Sequence, residues 1–354
     1  MDKTEVMFKE LTEANGISGF EDDVADLMAR YVKDVASVSF DNLGSMVAEK
    51  VGKADGPRVM LAGHMDEIGF LVKSITKEGF IKFLPVGGWW GHVALAQRVL
   101  IRTRNGDIVG VTGSKAPHVI KAEERKKVLD IDDMYIDVGA AKGFDVEKRL
   151  GVRPGDPIVP ISDFEILGNK KTYLAKAWDD RIGVASIIDV LHKIGKRHPN
   201  IVYGVGTVQE EVGLRGARTS ANMVDPDVAF AVDVTIATDT PGLESTGADL
   251  GSGAGIMVFD ASAIPSRRLR DHVIDVAEKN KIPYFLTALA RGGTDTGVIH
   301  LNRKGVPAMT FVVPARYIHG HVGVIHRKDY DSLVKLMTAV VKTLDAKTVK
   351  GLTR

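Results

Sequence analysis

The chain has 354 residues, of which 44% are hydrophobic and 26% charged, so it is long enough for two domains and has an ordinary globular composition. Its formal net charge of +1 gives no global field that would favour nucleic acid or an anionic membrane surface. It contains no cysteine, which excludes disulfide bonds, thiolate metal ligands and cysteine nucleophiles.

The first residues, MDKTEVMFKELTEANG, are charged and lack the apolar core of a secretory signal. No stretch approaches the roughly 20 apolar residues that a membrane-spanning helix needs. These observations predict a cytoplasmic protein with neither a membrane nor a nucleic-acid partner.

Two elements are predicted near the start of the chain. In residues 20–36, apolar side chains recur at helical spacing and acidic residues occupy the first turn, which predicts a helix. The apolar run RVMLAG, which ends at Gly63, predicts a buried strand immediately before His64.

The pattern changes between about Gly69 and about Asp163. Short β-like runs alternate there with glycine, Asn-Gly and charged turns. Helical periodicity is scarce apart from the charged stretch 121–130. This predicts a small all-β domain, residues 70–163, inserted into a larger domain formed by residues 1–69 and 164–354.

Helix and strand signals alternate again after the predicted insertion. Such alternation is typical of a mostly parallel sheet flanked by helices, so the predicted fold class is α/β with a small inserted β-rich domain. The predicted helices cover 181–195, 266–280 and 328–344, and the predicted strands cover 200–208, 227–232 and 308–313.

Candidate metal-binding residues lie just past the predicted strands. His64 follows the first of them, and Glu210 and Glu211 follow VGTVQ. Asp233 follows AFAV, and His319 follows MTFVV after a short loop. Because sites of open α/β sheets form outside the carboxyl ends of the strands, these side chains are expected to lie close together.

Two acidic residues, Asp179 and Asp180, stand at the start of the next predicted helix. Acidic side chains cap helix N-termini well, so the pair taken alone is equally consistent with a cap. Together with the residues past the strands, one of the two is better explained as a metal ligand.

His64 and Asp66 stand two apart in GHMDEIG, a spacing that places both side chains on one face of an extended segment. A metal-bound imidazole usually donates its other N–H to a carboxylate or a carbonyl. Asp66 could therefore serve the site without binding metal. Taken alone, His64 is better explained as an ordinary, partly buried histidine.

The adjacent glutamates Glu210 and Glu211 have separate roles if their segment is irregular. Water activated by a divalent metal attacks a carbonyl near neutral pH, but a base must take its proton and pass it to the leaving amine. One carboxylate would bind metal and its neighbour would be that base. Alternatively, both are solvated charges at a strand end.

These motifs closely resemble the tetrahedral-aminopeptidase family of dinuclear metallo-aminopeptidases. The matching segments occur in the family's order between about Gly63 and His319. They are AGHMDEIGF, GGWW followed by QRV, KAWDDRIG, TVQEEVGLRGARTSA, DVT, GGTDTGVIHL and VPARYIH.

The resemblance implies two divalent metal ions per subunit, Zn²⁺ or Co²⁺. In the family, the first aspartate of the pair bridges the two ions, which corresponds to Asp179. Asp179 is chosen over Asp180 because the second position of the pair also accepts asparagine in the family. His64 and Asp233 would complete one metal site, and Glu211 and His319 the other. Histidine and carboxylate ligands without thiolate agree with this chemistry.

The resemblance also implies the reaction and its partners. Glu210 would be the general base, and Asp66 would orient the site behind His64. The substrates would be peptides with a free N-terminus. The inserted β domain would be a dimerisation domain, and the subunits would form a homododecamer built from dimers, with the sites facing an enclosed chamber.

The sequence departs from the family after His319, where the family usually has a serine and a Val-Glu-Val-like stretch and this chain has GHVGVIH. The extra histidines, His321 and His326, would either tune substrate preference or be surface residues, and the second interpretation is favoured.

Two other functional classes stay open. Some family members carry the label endoglucanase, but two-carboxylate glycosidase chemistry needs neither His64 nor His319. A non-enzymatic metal-binding scaffold would keep the ligands and have no use for Glu210 as a base. The sequence determines neither the preferred N-terminal residue nor the physiological metal.

Overall fold

The computed structural model describes residues 1–352, apart from the side chain of Glu124. None of the helices in this part of the chain is long and apolar enough to cross a membrane. The α-helices, α1 to α10 in chain order, are Lys3–Glu13, Asp22–Val32, Gly91–Ala94, Val146–Leu150, Trp178–Lys193, Arg215–Val224, Arg267–Lys279, Thr296–Ile299, Arg327–Thr343 and Ala346–Leu352. The strands, β1 to β17, are Ser37–Phe40, Met46–Val51, Arg58–His64, Gly69–Ile75, Ile81–Val86, Arg98–Thr103, Gly106–Gly113, Tyr135–Asp137, Pro157–Pro160, Glu165–Ile166, Thr172–Ala175, Ile201–Thr207, Val228–Ile236, Ala254–Phe259, Tyr284–Ala288, Ala308–Ala315 and Gly323–His326.

An eight-stranded sheet, in the order β1-β2-β12-β3-β13-β16-β14-β15, forms the centre of the molecule. Its middle strands β12, β3, β13 and β16 are parallel to one another. β2 is antiparallel to β12, and β14 is antiparallel to β16. Three further strands, β10, β11 and β17, form a separate small sheet.

Helices cover both faces of the central sheet, as β3 illustrates. Val59 and Leu61 belong to a large core that includes α1, α2, α5, α7 and α9, whereas Met60 and Ala62 belong to a second core with α6 and α8. Because successive residues of a strand point to opposite faces, a strand covered on both faces reads as a continuous apolar run. The fold is therefore mixed α/β, as predicted, with a helix-flanked sheet.

Six strands close a small barrel, in the order β4-β5-β8-β7-β6-β9. In its core, Phe70 packs edge-to-face on Phe83, with ring centroids 4.8 Å apart, and stacks on Trp89 at 4.4 Å. The β-rich character predicted for this part of the chain is thus present. The division into domains at residues 69/70 and 163/164 stays a prediction.

The charged stretch 121–130 does not form an α-helix despite its periodicity. It contains only the 3₁₀ turn Glu124–Lys126. Val128 is 51% exposed and Leu129 is only partly buried, so the stretch lacks the broad buried apolar face whose packing stabilises most short helices.

Arg181, fully buried near the start of α5, ties the N-terminal segment to the core. Its guanidinium donates hydrogen bonds to the carbonyl oxygens of Leu11 (2.6 Å), Ala14 (2.9 Å) and Gly16 (3.1 Å). It also contacts the buried carboxylate of Glu67 at 3.3 Å. One side chain therefore satisfies the polar groups at the end of α1 and in the loop that follows.

Replacing Arg181 with alanine is expected to lower the free energy of unfolding by about 3–5 kcal/mol, because buried Glu67 loses one of its two cationic partners and buried carbonyls lose their donors. Urea unfolding at fixed protein concentration measures this. The matched control is Arg267→Ala, since the Arg267 side chain is 85% exposed. The control should change the free energy by less than about 0.5 kcal/mol. Equal effects of the two substitutions would contradict the assignment.

Candidate metal centre

The parallel strands bring the predicted site residues to one edge of the sheet. His64 is the last residue of β3, and Glu210 and Glu211 lie in the loop after β12. His319 lies in the loop after β16. Asp233 is inside β13, which extends four residues further, to Ile236, than the predicted strand 227–232. Because Ala231 of β13 pairs with Ala62 of β3, Asp233 stands level with His64 on the neighbouring strand.

Two groups of side chains have the geometry to hold a metal ion. His64, Asp179 and Asp233 offer ligand atoms that all lie within 4.8 Å of one another, and so do Asp179, Glu211 and His319. Asp179 belongs to both groups. Its Oδ1 lies 3.1 Å from Nε2 of His64, and its Oδ2 lies 3.4 Å from Nε2 of His319.

Both imidazole rings are oriented by a backbone carbonyl. Nδ1 of His64 lies 3.0 Å from the carbonyl oxygen of Asp66, and Nδ1 of His319 lies 2.8 Å from that of Gly88. A donating Nδ1–H in each ring leaves Nε2 free to bind a cation. Gly88 eases this approach, since a Cβ there would make a tight contact of 3.0 Å with Nδ1 of His319.

Asp66 holds the glutamate loop with its carboxylate. The carboxylate accepts hydrogen bonds from the backbone N–H groups of Glu210 (2.9 Å) and Glu211 (3.1 Å) and from the hydroxyl of Ser18 (2.6 Å). Its closest approach to Nδ1 of His64 is 3.6 Å. The backbone carbonyl of Asp66 therefore orients His64, while its side chain orients the two glutamates.

The structure separates the two aspartates at the start of α5. Both have non-helical backbone angles, and the peptide bond between them is cis. Asp180 is fully buried and accepts hydrogen bonds from the N–H groups of His64 (3.2 Å) and Gly183 (2.9 Å). Asp180 thus performs the capping role, and Asp179 faces both histidines. The sequence pattern is equally consistent with a cap at this pair, and the spacing from Asp180 to Gly183 is that of an N-cap contact.

The carboxylates of the site are buried together, and this shifts their pKa values. Burial and the charge of Asp179 raise the pKa of Asp233 well above its usual range and that of Glu211 to about 7. Burial and the charge of Asp233 raise the pKa of Glu210 well above its usual range. Cations would relieve this repulsion.

The histidines carry the compensating positive charge. The hydrogen bond to Asp179 raises the pKa of His319 to about 10. Burial opposes ionisation of Asp179, but its hydrogen bonds to His319 and His64 lower its pKa below the usual value. Imidazole and carboxylate donors around a shared aspartate suit Zn²⁺ or Co²⁺, so the residues present fit a pair of divalent ions.

A cavity of about 440 Å³ opens onto both groups and onto Glu210. Among the described residues that line it, Arg291 is the one lysine or arginine. The large aliphatic side chains that line it are Leu214, Val234, Ile236, Leu289 and Ile318.

Neither of the extra histidines belongs to a ligand group, and the two differ in burial. His321 is 4% exposed, its ring packs on Trp89 with centroids 5.3 Å apart, and burial lowers its pKa to about 4. The surface interpretation of His321 is therefore wrong, because the Trp89 ring covers it. His326 is half-buried and caps α9 by accepting a hydrogen bond from the N–H of Lys328 (3.1 Å).

Glu67 and Asp295 are buried acids near the site that the sequence patterns did not identify. Glu67 pairs with Lys176 and Arg181 behind Asp66. Asp295 is 3% exposed and accepts a hydrogen bond of 2.5 Å from the hydroxyl of Thr207 at the end of β12. Its position in the glycine-rich GGTDTG loop is the signal that could have identified it.

Comparison with known proteins gives the family. Residues 44–336 match the family described as M42 glutamyl aminopeptidase. The glutamyl aminopeptidase of Lactococcus lactis subsp. cremoris is 36% identical, and the lysyl aminopeptidase of Pyrococcus furiosus is 34% identical. Each alignment covers 96% of this chain and 96% of the relative.

Solved structures give the same result. A TET aminopeptidase from the marine sediment archaeon Thaumarchaeota archaeon SCGC AB-539-E09 is 44% identical, with a TM-score of 0.96 over 99% of this chain and 100% of the other. PhTET1-12s, described as a dodecamer, is 34% identical, with a TM-score of 0.85 over 97% of this chain and 100% of the other. Similarity to aminopeptidases therefore extends over nearly the whole chain, and the protein belongs to the M42 glutamyl aminopeptidase family of peptide hydrolases.

Proposed function

We propose that the protein binds two divalent ions, Zn²⁺ or Co²⁺, and hydrolyses N-terminal residues from peptides with Glu210 as the general base. The observation that carries the proposal is the pair of ligand groups that share Asp179, beside a glutamate that belongs to neither group. Oε2 of Glu210 lies 4.0 Å from Nε2 of His64, and Glu210 lines the same cavity.

The metal ligands divide between the two ions. His64 and Asp233 would hold one ion, Glu211 and His319 would hold the other, and Asp179 would contribute to both sites. When bound, the ions would lower the pKa of a water molecule and polarise the scissile carbonyl.

The chain's own residues move the proton and fix the geometry. Glu210 takes a proton from the attacking water, whose oxygen bonds to the scissile carbonyl carbon. As the C–N bond breaks, Glu210 gives that proton to the leaving amine. Asp66 keeps Glu210 and Glu211 in place through their backbone N–H groups.

The test is hydrolysis of a panel of aminoacyl-p-nitroanilides, with added Zn²⁺ or Co²⁺, with chelator, and beside N-acetylated controls. We expect metal-dependent cleavage that requires a free amine. Chelator-insensitive cleavage of a glucan would support the glycosidase alternative, and metal binding without turnover would support the scaffold alternative.

Arg291 favours acidic N-terminal residues as substrates. It is exposed, lines the cavity and has no hydrogen bond or ion pair within the described residues. The aliphatic lining, which includes Ile236 and Leu289, suits the methylene groups of a glutamyl side chain whose carboxylate reaches the guanidinium. The name of the Lactococcus relative agrees with this preference, and that of the Pyrococcus furiosus relative does not.

Arg291→Gln is expected to lower kcat/KM for glutamyl-p-nitroanilide by about 10- to 100-fold, the effect of losing a charged hydrogen bond. Leucyl-p-nitroanilide is the internal control, and its kcat/KM should change by less than about threefold, since an aliphatic side chain needs no cation. Equal losses on both substrates would contradict a role in side-chain recognition.

Assembly into a homododecamer built from dimers is supported by the relative described as a dodecamer. Several large apolar side chains between β4 and β9 are exposed, and a contiguous patch of such side chains would suit a surface that binds another chain. They include Trp90 (61%), Val109 (52%) and Val111 (41%). The barrel would then be the dimerisation domain, and sedimentation of the wild type beside a Val109→Asp, Val111→Asp variant tests this.

A further inference from the structure

Two buried carboxylates hold three successive N–H groups of the glutamate loop. The N–H of Gln209 donates to Oε1 of Glu21 at 2.9 Å. The next two N–H groups, of Glu210 and Glu211, donate to the two oxygens of Asp66 at 2.9 and 3.1 Å. Glu21 lies outside every motif that carries the resemblance to the family.

The loop has a backbone conformation that needs external support. Gln209 has φ +56°, in the left-handed region that side-chain-bearing residues rarely adopt. Such a conformation persists only when surrounding contacts over-determine it. The hydrogen bond from the N–H of Gln209 to the carboxylate of Glu21 is such a contact. Gln209 is the residue immediately before Glu210, the proposed general base.

Glu21 is itself firmly held. It is 4% exposed, and its Oε1 also accepts the N–H of Gly19 at 2.8 Å. Ser18, three residues earlier, donates its hydroxyl to Asp66 at 2.6 Å. The segment 18–21 therefore supplies one of the two carboxylates that hold the loop and donates a hydrogen bond to the other. Arg181 anchors the chain just before this segment through its hydrogen bond to the carbonyl of Gly16.

We propose that Glu21 is a positioning residue for Glu210: it acts through the N–H of Gln209 and fixes the loop so that the two glutamates keep their separate orientations. The proposal rests on the proposed function. The segment 18–21 would then contribute to catalysis by orienting the glutamate loop, although no residue of this segment belongs to either ligand group.

The experiment compares Glu21→Ala with Glu21→Gln in the metal-loaded, full-length protein. The amide oxygen of glutamine can accept the same two N–H groups, whereas alanine leaves both without a partner. The matched control is Asp329→Ala. Asp329 is equally buried and accepts the N–H groups of Gly251 and Gly253, both at 2.7 Å, but it lies outside the cavity of the metal centre.

We expect Glu21→Ala to lower kcat by about 10- to 100-fold, the effect of a small misplacement of a catalytic group, with bound metal unchanged. KM should stay within about threefold, because the residues that contact the substrate are unaltered. Glu21→Gln should recover most of kcat, and Asp329→Ala should lose stability but retain kcat. Wild-type kcat in Glu21→Ala, or equal losses in Glu21→Ala and Asp329→Ala, would overturn the proposal.

Hydrogen exchange of the metal-free protein gives a second readout, independent of activity. The amides of Gln209, Glu210 and Glu211 should exchange faster in Glu21→Ala than in wild type or Asp329→Ala. If the wild type cleaves no substrate, the proposed function fails, and exchange alone then decides whether Glu21 holds the loop. Unchanged exchange in Glu21→Ala would overturn the inference whatever the activity.

Discussion

Replacing Glu210 with glutamine is expected to reduce kcat by about 10²- to 10⁴-fold, the usual contribution of a general base, while the protein keeps its metal. Glutamine preserves the shape of the side chain and the backbone N–H bond to Asp66, but its amide cannot take a proton from water. Glu210 belongs to neither ligand group, so its replacement should leave metal binding intact. The measurement is kcat on the best p-nitroanilide beside metal content per subunit.

Two variants control for this result. Glu244→Gln removes a charge from an exposed glutamate and should leave both kcat and metal content unchanged. Glu211→Gln alters a member of the second ligand group and should lose metal together with activity. Full turnover in Glu210→Gln would refute its role as base, and loss of metal would show that it is a ligand.

Replacing Asp179 with alanine is expected to remove both ions from each subunit, because Asp179 is the residue common to the two ligand groups. Activity should fall by about 10³-fold or more, since the loss of both ions removes several kcal/mol of transition-state stabilisation. The side chain also separates His64 from His319. Its removal would also take away the negative charge that, together with burial, raises the pKa values of Asp233 and Glu211.

The comparison variant is Asp233→Ala. Asp233 belongs to one group only, so this variant should lose the ion beside His64 and keep the one beside His319. Metal analysis after dialysis against a fixed low concentration of free Zn²⁺ distinguishes the two results. Retention of two ions per subunit in Asp179→Ala would contradict the bridging role.

Local patterns in the sequence were sufficient for the main elements of the catalytic sheet. The apolar runs before His64, Glu210 and His319 correspond to β3, β12 and β16, and the helical periodicities correspond to α2, α5, α7 and α9. Buried strands and amphipathic helices have periodicities that depend on nearby residues alone. The grouping of site residues followed from parallel strands, whose carboxyl ends meet at one edge.

The sequence by itself thus determined the mixed α/β class and the family, and it predicted the side chains that the structure brings together in the two ligand groups. The resemblance already favoured Asp179 of the pair, but tertiary structure alone decided how the two aspartates are oriented, because the helical pattern does not encode their non-helical backbone angles. It also decided that Trp89 covers His321 and that Glu21 reaches Gln209, 188 residues away in the chain. Contacts between distant segments depend on how the whole chain packs, so short-range patterns cannot specify them.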